Sequence, residues 1–379
     1  IAAIQSAIAL YPEDPLYQLG LGSIHERAQD FAKALAVYDA ALPDSVPLPK
    51  ARFRPQLAEP RYSDERDRFG HGIGGPELSQ EHAQPRAALR VRRGRLLVRA
   101  GALEQALTDF EQANLAPTRH TQAEALGWAE LDRGLVLLSL GREREALADF
   151  VRAHEHPIAP QDRNSFGAIR RARSLYLQAF VHYRLEEHEA AQRSLGMLSG
   201  LDSRYYYASL LQPRVHYARG RPAAALAASR RINGAKGEGL VFLEARVLVQ
   251  LNRLPEAREL LKGLSGSFAE LWLGALEPEA EELEALAQGA STVVAWLARY
   301  LIGSLGEAQL LAGLGKAQPE IRSEALSDAH CLIALRAELG GDLEKAREHY
   351  TRAAAFEVAR DRVCWRFAAV QAQRLGRAR

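Results

Sequence analysis

The residues of this chain with the right types for chemistry are scattered. The stretch "GHGIGG" (70–75) is rich in glycine. No Lys–Ser/Thr pair follows it and no strand pattern precedes it, so it lacks the parts of a phosphate-binding loop and reads as a loop tip. His71 and His82 fall in the same region, and His154 with His156 form a His-x-His. Neither set has two further ligands at metal spacing, so each reads as turn histidines. No nucleophile elbow and no HExxH occurs. Cys331 and Cys364 are too few for a disulfide framework and read as two small apolar groups in a core, a redox pair being the alternative. These residues supply no catalytic group, no metal ligand set and no cofactor site. The sequence reads as a non-enzyme.

Composition narrows the class. The 379 residues are 47% hydrophobic and 25% charged, which excludes a largely disordered chain. The formal charge of +2 gives no general attraction to nucleic acid or anionic membranes. Arginine far outnumbers lysine, a skew typical of GC-rich bacterial genomes. The most apolar stretch (291–315) is broken by Arg299 and Glu307, whereas a spanning helix needs about 20 residues nearly free of charge. It reads as buried helix. Few cysteines favour a reducing compartment, the cytoplasm. Because Ile1 is not a start residue, upstream sequence is expected and the cell envelope stays open.

Any such residues must be positioned by a repeating element. Gly22, Ala34, Tyr38 and Ala41 are spaced 12–4–3, and so are Gly94, Ala106, Phe110 and Ala113. The interval returns in Gly134, Ala146, Phe150, Ala153 and in Ala334, Ala346, Tyr350, Ala353. Two helices joined by a short turn explain it. Small residues such as Gly22 and Ala34 would let the pair approach closely, and the aromatic one turn on would fill the gap against the next helix. Gly101, Gly141 and Gly341 fall at the turn, where a left-handed cap is wanted. Weaker copies start at Ala179, Pro213 and Ala245, and Pro213 is a poor fit to an unbroken helix.

This unit resembles the tetratricopeptide repeat, a helix–turn–helix of about 34 residues. The resemblance implies an all-α fold, a right-handed superhelical solenoid of antiparallel helix pairs. The expected organisation starts with a partial repeat over 1–14 and a full repeat over 15–48. A Pro/Gly/charge-rich insertion follows (49–86), then repeats over 87–265. Off-register helices (266–326), a repeat (327–360) and a capping helix (361–379) complete the chain.

In that family the first helix of each pair lines the concave surface where peptides lie. Carried onto this chain, the inward positions are Arg95, Arg99, Trp128, Leu131 and Leu135, then Arg173, Tyr176, Phe180, Tyr183 and Arg184. Tyr207, Arg214, Tyr217, Phe242 and Arg246 continue the row, which carries almost no acid. Tyr, Trp and Arg dominate interface hot spots. The expectation is a scaffold holding an acidic–hydrophobic peptide or a partner protein; the alternative is that the aromatics pack between helices. Two charge runs, six Arg in 85–99 and six Glu in 269–286, read as solvated faces or as patches for partner steering or self-association. A regulatory module of a larger protein is the second reading. RNA binding through Arg86–Arg99 is a third, disfavoured by the balanced charge.

Overall fold

The computed structural model describes residues 2–10, 14–42, 85–113, 120–156, 166–201, 206–232, 238–264, 267–277, 281–289, 292–356 and 363–377. The chain forms two compact units, Ile1–Ala208 and Ser209–Arg379. The first holds α1 (Ala2–Leu10), α2 (Pro15–Arg27), α3 (Phe31–Ala40), α4 (Pro85–Arg99), α5 (Leu103–Ala113), α6 (His120–Ser139), α7 (Glu143–Glu155), α8 (Phe166–Arg184) and α9 (His188–Leu201). Helix α10 (Tyr206–Ala218) bridges the boundary. The second continues with α11 (Pro222–Arg230), α12 (Glu238–Gln250), α13 (Leu254–Lys262), α14 (Ser267–Leu276), α15 (Glu281–Ala287) and α16 (Val293–Leu301). It ends with α17 (Glu307–Leu314), α18 (Pro319–Leu339), α19 (Leu343–Ala354) and α20 (Val363–Arg377). Among the described residues the chain is all-α, and in each unit consecutive helices stack as antiparallel pairs. The region of "GHGIGG", His71 and His82 lies outside the described residues.

Among the described residues one turn recurs at seven positions. Gln29, Gly101, Gly141, Glu186, Gly220, Asn252 and Gly341 have φ between 56° and 86°, each seven residues after the small or proline position that opens the spacing. The next N–H reaches back five residues to a carbonyl, as in Arg142 to Leu137 (2.8 Å), Glu187 to His182 (2.8 Å) and Asp342 to Ala337 (2.8 Å). This closure ends one helix and starts the next at a fixed angle. The weaker copies thus carry the same turn as the strong ones. Three of the seven positions are not glycine, so no glycine count would find them.

Packing inside each pair differs from expectation in one respect. The aromatic lies over the glycine of its own pair: a Cβ at Gly22 would sit 2.0 Å from the Tyr38 ring, and one at Gly134 2.5 Å from Phe150. The missing side chain makes room for the ring, which is why the two residue types keep a fixed interval. In α16 and α17 the roles are exchanged. Trp296 on the first helix presses on Gly313 of the second, where a Cβ would fall 1.9 Å from the ring. The same pairing written in reverse order explains why this segment reads as off-register.

Two further expectations resolve. Pro213 sits inside α10, which continues through it. Proline withholds its N–H from the carbonyl four residues back and its ring crowds that carbonyl, but the bonds on either side carry the helix across. The apolar stretch 291–315 divides into α16 and α17 around Gly303 (φ 80°). No helix among the described residues is long and apolar enough to cross a membrane.

Candidate functional site

Most arginines of α4 are held by side chains of neighbouring helices. Arg93 on α4 grips Asp109 on α5 through Nε (2.7 Å) and Nη2 (2.5 Å), and its Nη1 reaches Asp39 on α3 at 2.8 Å. Arg92 contacts Glu26 on α2 (3.3 Å), Arg95 donates to fully buried Asp132 on α6 (2.7 Å), and Arg90 bonds Gln112. The Arg99 guanidinium lies 4.8 Å from the centre of the Phe31 ring. The basic run of α4 is therefore mostly neither a solvated face nor a free patch. It ties α4 to α2, α3, α5 and α6.

One repeat later the motif returns. Arg133 holds Asp149 with Nε (2.7 Å) and Nη2 (2.8 Å), sixteen residues on, as Arg93 holds Asp109. Arg152 also meets Asp149, and with His156 it meets Glu130 at 3.2 and 2.7 Å. His156 is thus held in an ion-pair cluster. Arg184 pairs with Glu143 at 2.6 Å. The near absence of acid in the inward row was a property of that row alone. The acids come from neighbouring helices.

The aromatics of unit 1 form a patch on α8. Tyr176 is 7% exposed, with its ring 6.4 Å from Phe180 and 5.7 Å from Tyr207. Tyr183 stands 5.9 Å from His188. Arg173 and Phe180 are half-buried, whereas Tyr207 is buried. Trp128 is buried as well, with Leu131 and Leu135 on the same helix. Because 173, 176 and 180 lie on one helical stripe, Phe180 and Arg173 stand on either side of buried Tyr176.

The inward residues of unit 2 meet other side chains of that unit. Arg246 lies 5.8 Å from the Tyr217 ring centre and 5.6 Å from that of Phe242. Phe242 packs edge-on to Trp272 (5.2 Å), Trp272 to Phe367 of α20 (4.9 Å), and Phe367 to Tyr350 (5.6 Å). Gln371 of α20 donates to the Tyr217 hydroxyl at 3.4 Å. Burial pushes the hydroxyls of Tyr217 and Tyr350 well above the usual tyrosine range. Arg214 is half-buried. The last helix therefore packs into the inner side of the unit, beyond the end-capping role expected from the sequence.

Cys331 is a free, fully buried thiol on α18. Cys364 is on α20, with its side chain outside the described residues. No group of three or more His, Cys, Asp or Glu among the described residues is arranged to hold a metal ion.

Residues 1–48 match the family model described as tetratricopeptide repeat. No curated protein matches. Among solved structures, a tetratricopeptide repeat protein from Parabacteroides merdae aligns over 94% of this chain and 98% of its own, with 12% identity and a TM-score of 0.38. The tetratricopeptide domain of P58(IPK) aligns over 96% of this chain and 99% of its own, with 14% identity and a TM-score of 0.27. The Cut9–Hcn1 assembly of APC/C aligns over 98% and 92%, with 11% identity and a TM-score of 0.33. The match to the tetratricopeptide repeat thus covers the start of the chain, and the spacing of a small residue and an aromatic with a left-handed turn between them recurs beyond it, to residue 353.

Proposed function

We propose that the chain is a non-catalytic interaction scaffold that holds a peptide or partner protein against the aromatic stripe of α8. The observation that carries this reading is the stripe itself. Partly buried Phe180 and Arg173 flank Tyr176, which is buried against Tyr207. An aromatic edge on a rigid buried base, with a guanidinium beside it, offers contact area at small entropic cost. The paired arginines, Arg95 and Arg184, act as framework, so the partner's contacts centre on Phe180 and Arg173.

The test is affinity capture with immobilised protein, with and without nuclease, read by mass spectrometry. A Phe180→Ala, Arg173→Ala double variant runs beside wild type after its helicity and melting have been matched. A protein held by wild type and lost by the variant supports the stripe. Identical capture by both moves the contact elsewhere, and a set lost only on nuclease treatment makes nucleic acid the ligand.

A further inference from the structure

Helix α8 carries four arginines, Arg170, Arg171, Arg173 and Arg184, and no acidic residue. Three of them are engaged within unit 1. Arg170 donates to the carbonyls of Ala153 and, at 3.1 Å, His156. Arg171 reaches the same His156 oxygen at 3.5 Å, and Arg184 pairs with Glu143 at 2.6 Å. Arg173 differs. It is partly buried, and among the described residues it has no hydrogen-bond or ion-pair partner. Its guanidinium nitrogens are open to solvent and not sealed in the core.

The side chains on either side of it are apolar. Residues 169, 173, 176 and 180 follow at steps of four, three and four, which puts them on one stripe of the helix. Ile169, 44% exposed, lies before Arg173, and Tyr176 with Phe180 lies beyond it. A partly buried charge without a counter-ion favours a ligand that brings a carboxylate, which a guanidinium can hold through two parallel bonds. Because apolar contacts lie both before and after Arg173, a chain that uses them runs past the guanidinium instead of stopping at it. The carboxylate then belongs to an Asp or Glu side chain within the segment and not to a chain end. One guanidinium also matches the single charge of a carboxylate. A phosphate carries about two charges and calls for a second cation, but Arg171 stands off this stripe and Arg184 is already paired.

We propose, resting on the reading that the α8 stripe holds a partner, that the partner is a protein segment with an internal Asp or Glu paired to Arg173. Apolar side chains flank that acid and cover Ile169 on one side and Phe180 on the other. Ile169 is four residues and Phe180 seven residues from Arg173, roughly 6 and 10 Å along the helix. An extended partner spans those distances with about two and three residues, and a helical one with about four and seven.

Fluorescence anisotropy of the full chain with labelled peptides, acetylated and amidated at their ends, tests the pairing. The probes carry Leu, Glu and Phe at both sets of spacings. Counterparts replace the Glu by Gln or phosphoserine, and a further set ends in a free carboxylate at that position. Glu probes of one spacing should bind wild type about tenfold or more tighter than their Gln counterparts. Arg173→Gln should remove that difference and Arg173→Lys should keep part of it, whereas Phe180→Ala should weaken Glu and Gln probes alike. Melting curves check the variants, and the comparison of Glu with Gln probes on wild type stands without them. Equal binding of Glu and Gln probes, or a Glu preference that survives Arg173→Gln, overturns the inference and leaves the scaffold reading in place. A stronger preference for phosphoserine or for the free end overturns it as well. Binding by no probe overturns the inference alone, since affinity capture still decides the stripe. Binding untouched by both Arg173→Gln and Phe180→Ala overturns the stripe with it.

Discussion

Tyr350 donates its hydroxyl to Glu338 at 3.0 Å, from the second helix of the last strong pair back to the first. Tyr38 addresses Glu26 across the same interval of twelve residues. Where the aromatic is Phe110 or Phe150, the residue twelve before it is Val98 or Leu138. The hydroxyl and its acceptor are kept or dropped together, because a buried tyrosine hydroxyl without a partner is costly. Tyr350→Phe should therefore destabilise by about 1–2 kcal/mol, the lower part of the range for a bond to a charged group. Adding Glu338→Leu should recover part of this, since the double variant copies the Phe150 pair. Urea unfolding of the four-member cycle measures the coupling, and strictly additive costs would refute the pairing.

The glycines separate into two kinds. Gly134→Ala places a methyl against Phe150 and should cost about 1–3 kcal/mol by overpacking. Gly196 is an exposed helical position with nothing within 4 Å, so Gly196→Ala should add about 0.5–1 kcal/mol by propensity alone. Opposite shifts in Tm are expected, and shifts of the same sign would contradict the packing.

Arg93 joins three helices through Asp109 and Asp39. Arg93→Met strands Asp109, which is 1% exposed, and should cost about 3–5 kcal/mol. Arg86, in the same run but exposed, should change stability by less than about 0.5 kcal/mol when replaced by alanine. Thermal melts of the two variants distinguish a tied helix from a solvated basic face.

Phe367 is fully buried between Trp272 and Tyr350. Phe367→Ala should cost about 3–5 kcal/mol. A chain ending at Phe356 would lose α20 altogether and uncover Trp272 on α14, so its tryptophan emission should shift to the red. An unshifted emission with unchanged stability would mean that α20 only caps the end.

How far the sequence reached can be read from separations along the chain. The repeat was legible because its packing is local: Gly22 and Tyr38, or Gly134 and Phe150, meet across sixteen residues and one short turn. Such pairs constrain residue types at fixed intervals, and the turn adds a glycine where φ is positive at Gly101, Gly141 and Gly341. The arginines of α4 were legible as a cluster but not in their role. Arg92 meets Glu26 from 66 residues away, and no periodicity links them. The Arg93–Asp109 and Arg133–Asp149 pairs did leave a signal, an Arg before the glycine and an Asp before the phenylalanine.

Exposure was the property that sequence alone left open. A tyrosine on the inward side of a first helix reads the same whether it meets water or another helix. Tertiary structure decided it in unit 2, where Gln371 reaches Tyr217 across 154 residues and the last helix fills the inner side. The His330–Glu307–His349 contact arose the same way, from three helices whose histidines and glutamate follow no common spacing. Sequence determined the repeating unit, because each pair is stabilised by neighbours within one turn. Tertiary structure decided which faces remain open, because closing a stack depends on the sum of many small packing angles that no single repeat encodes.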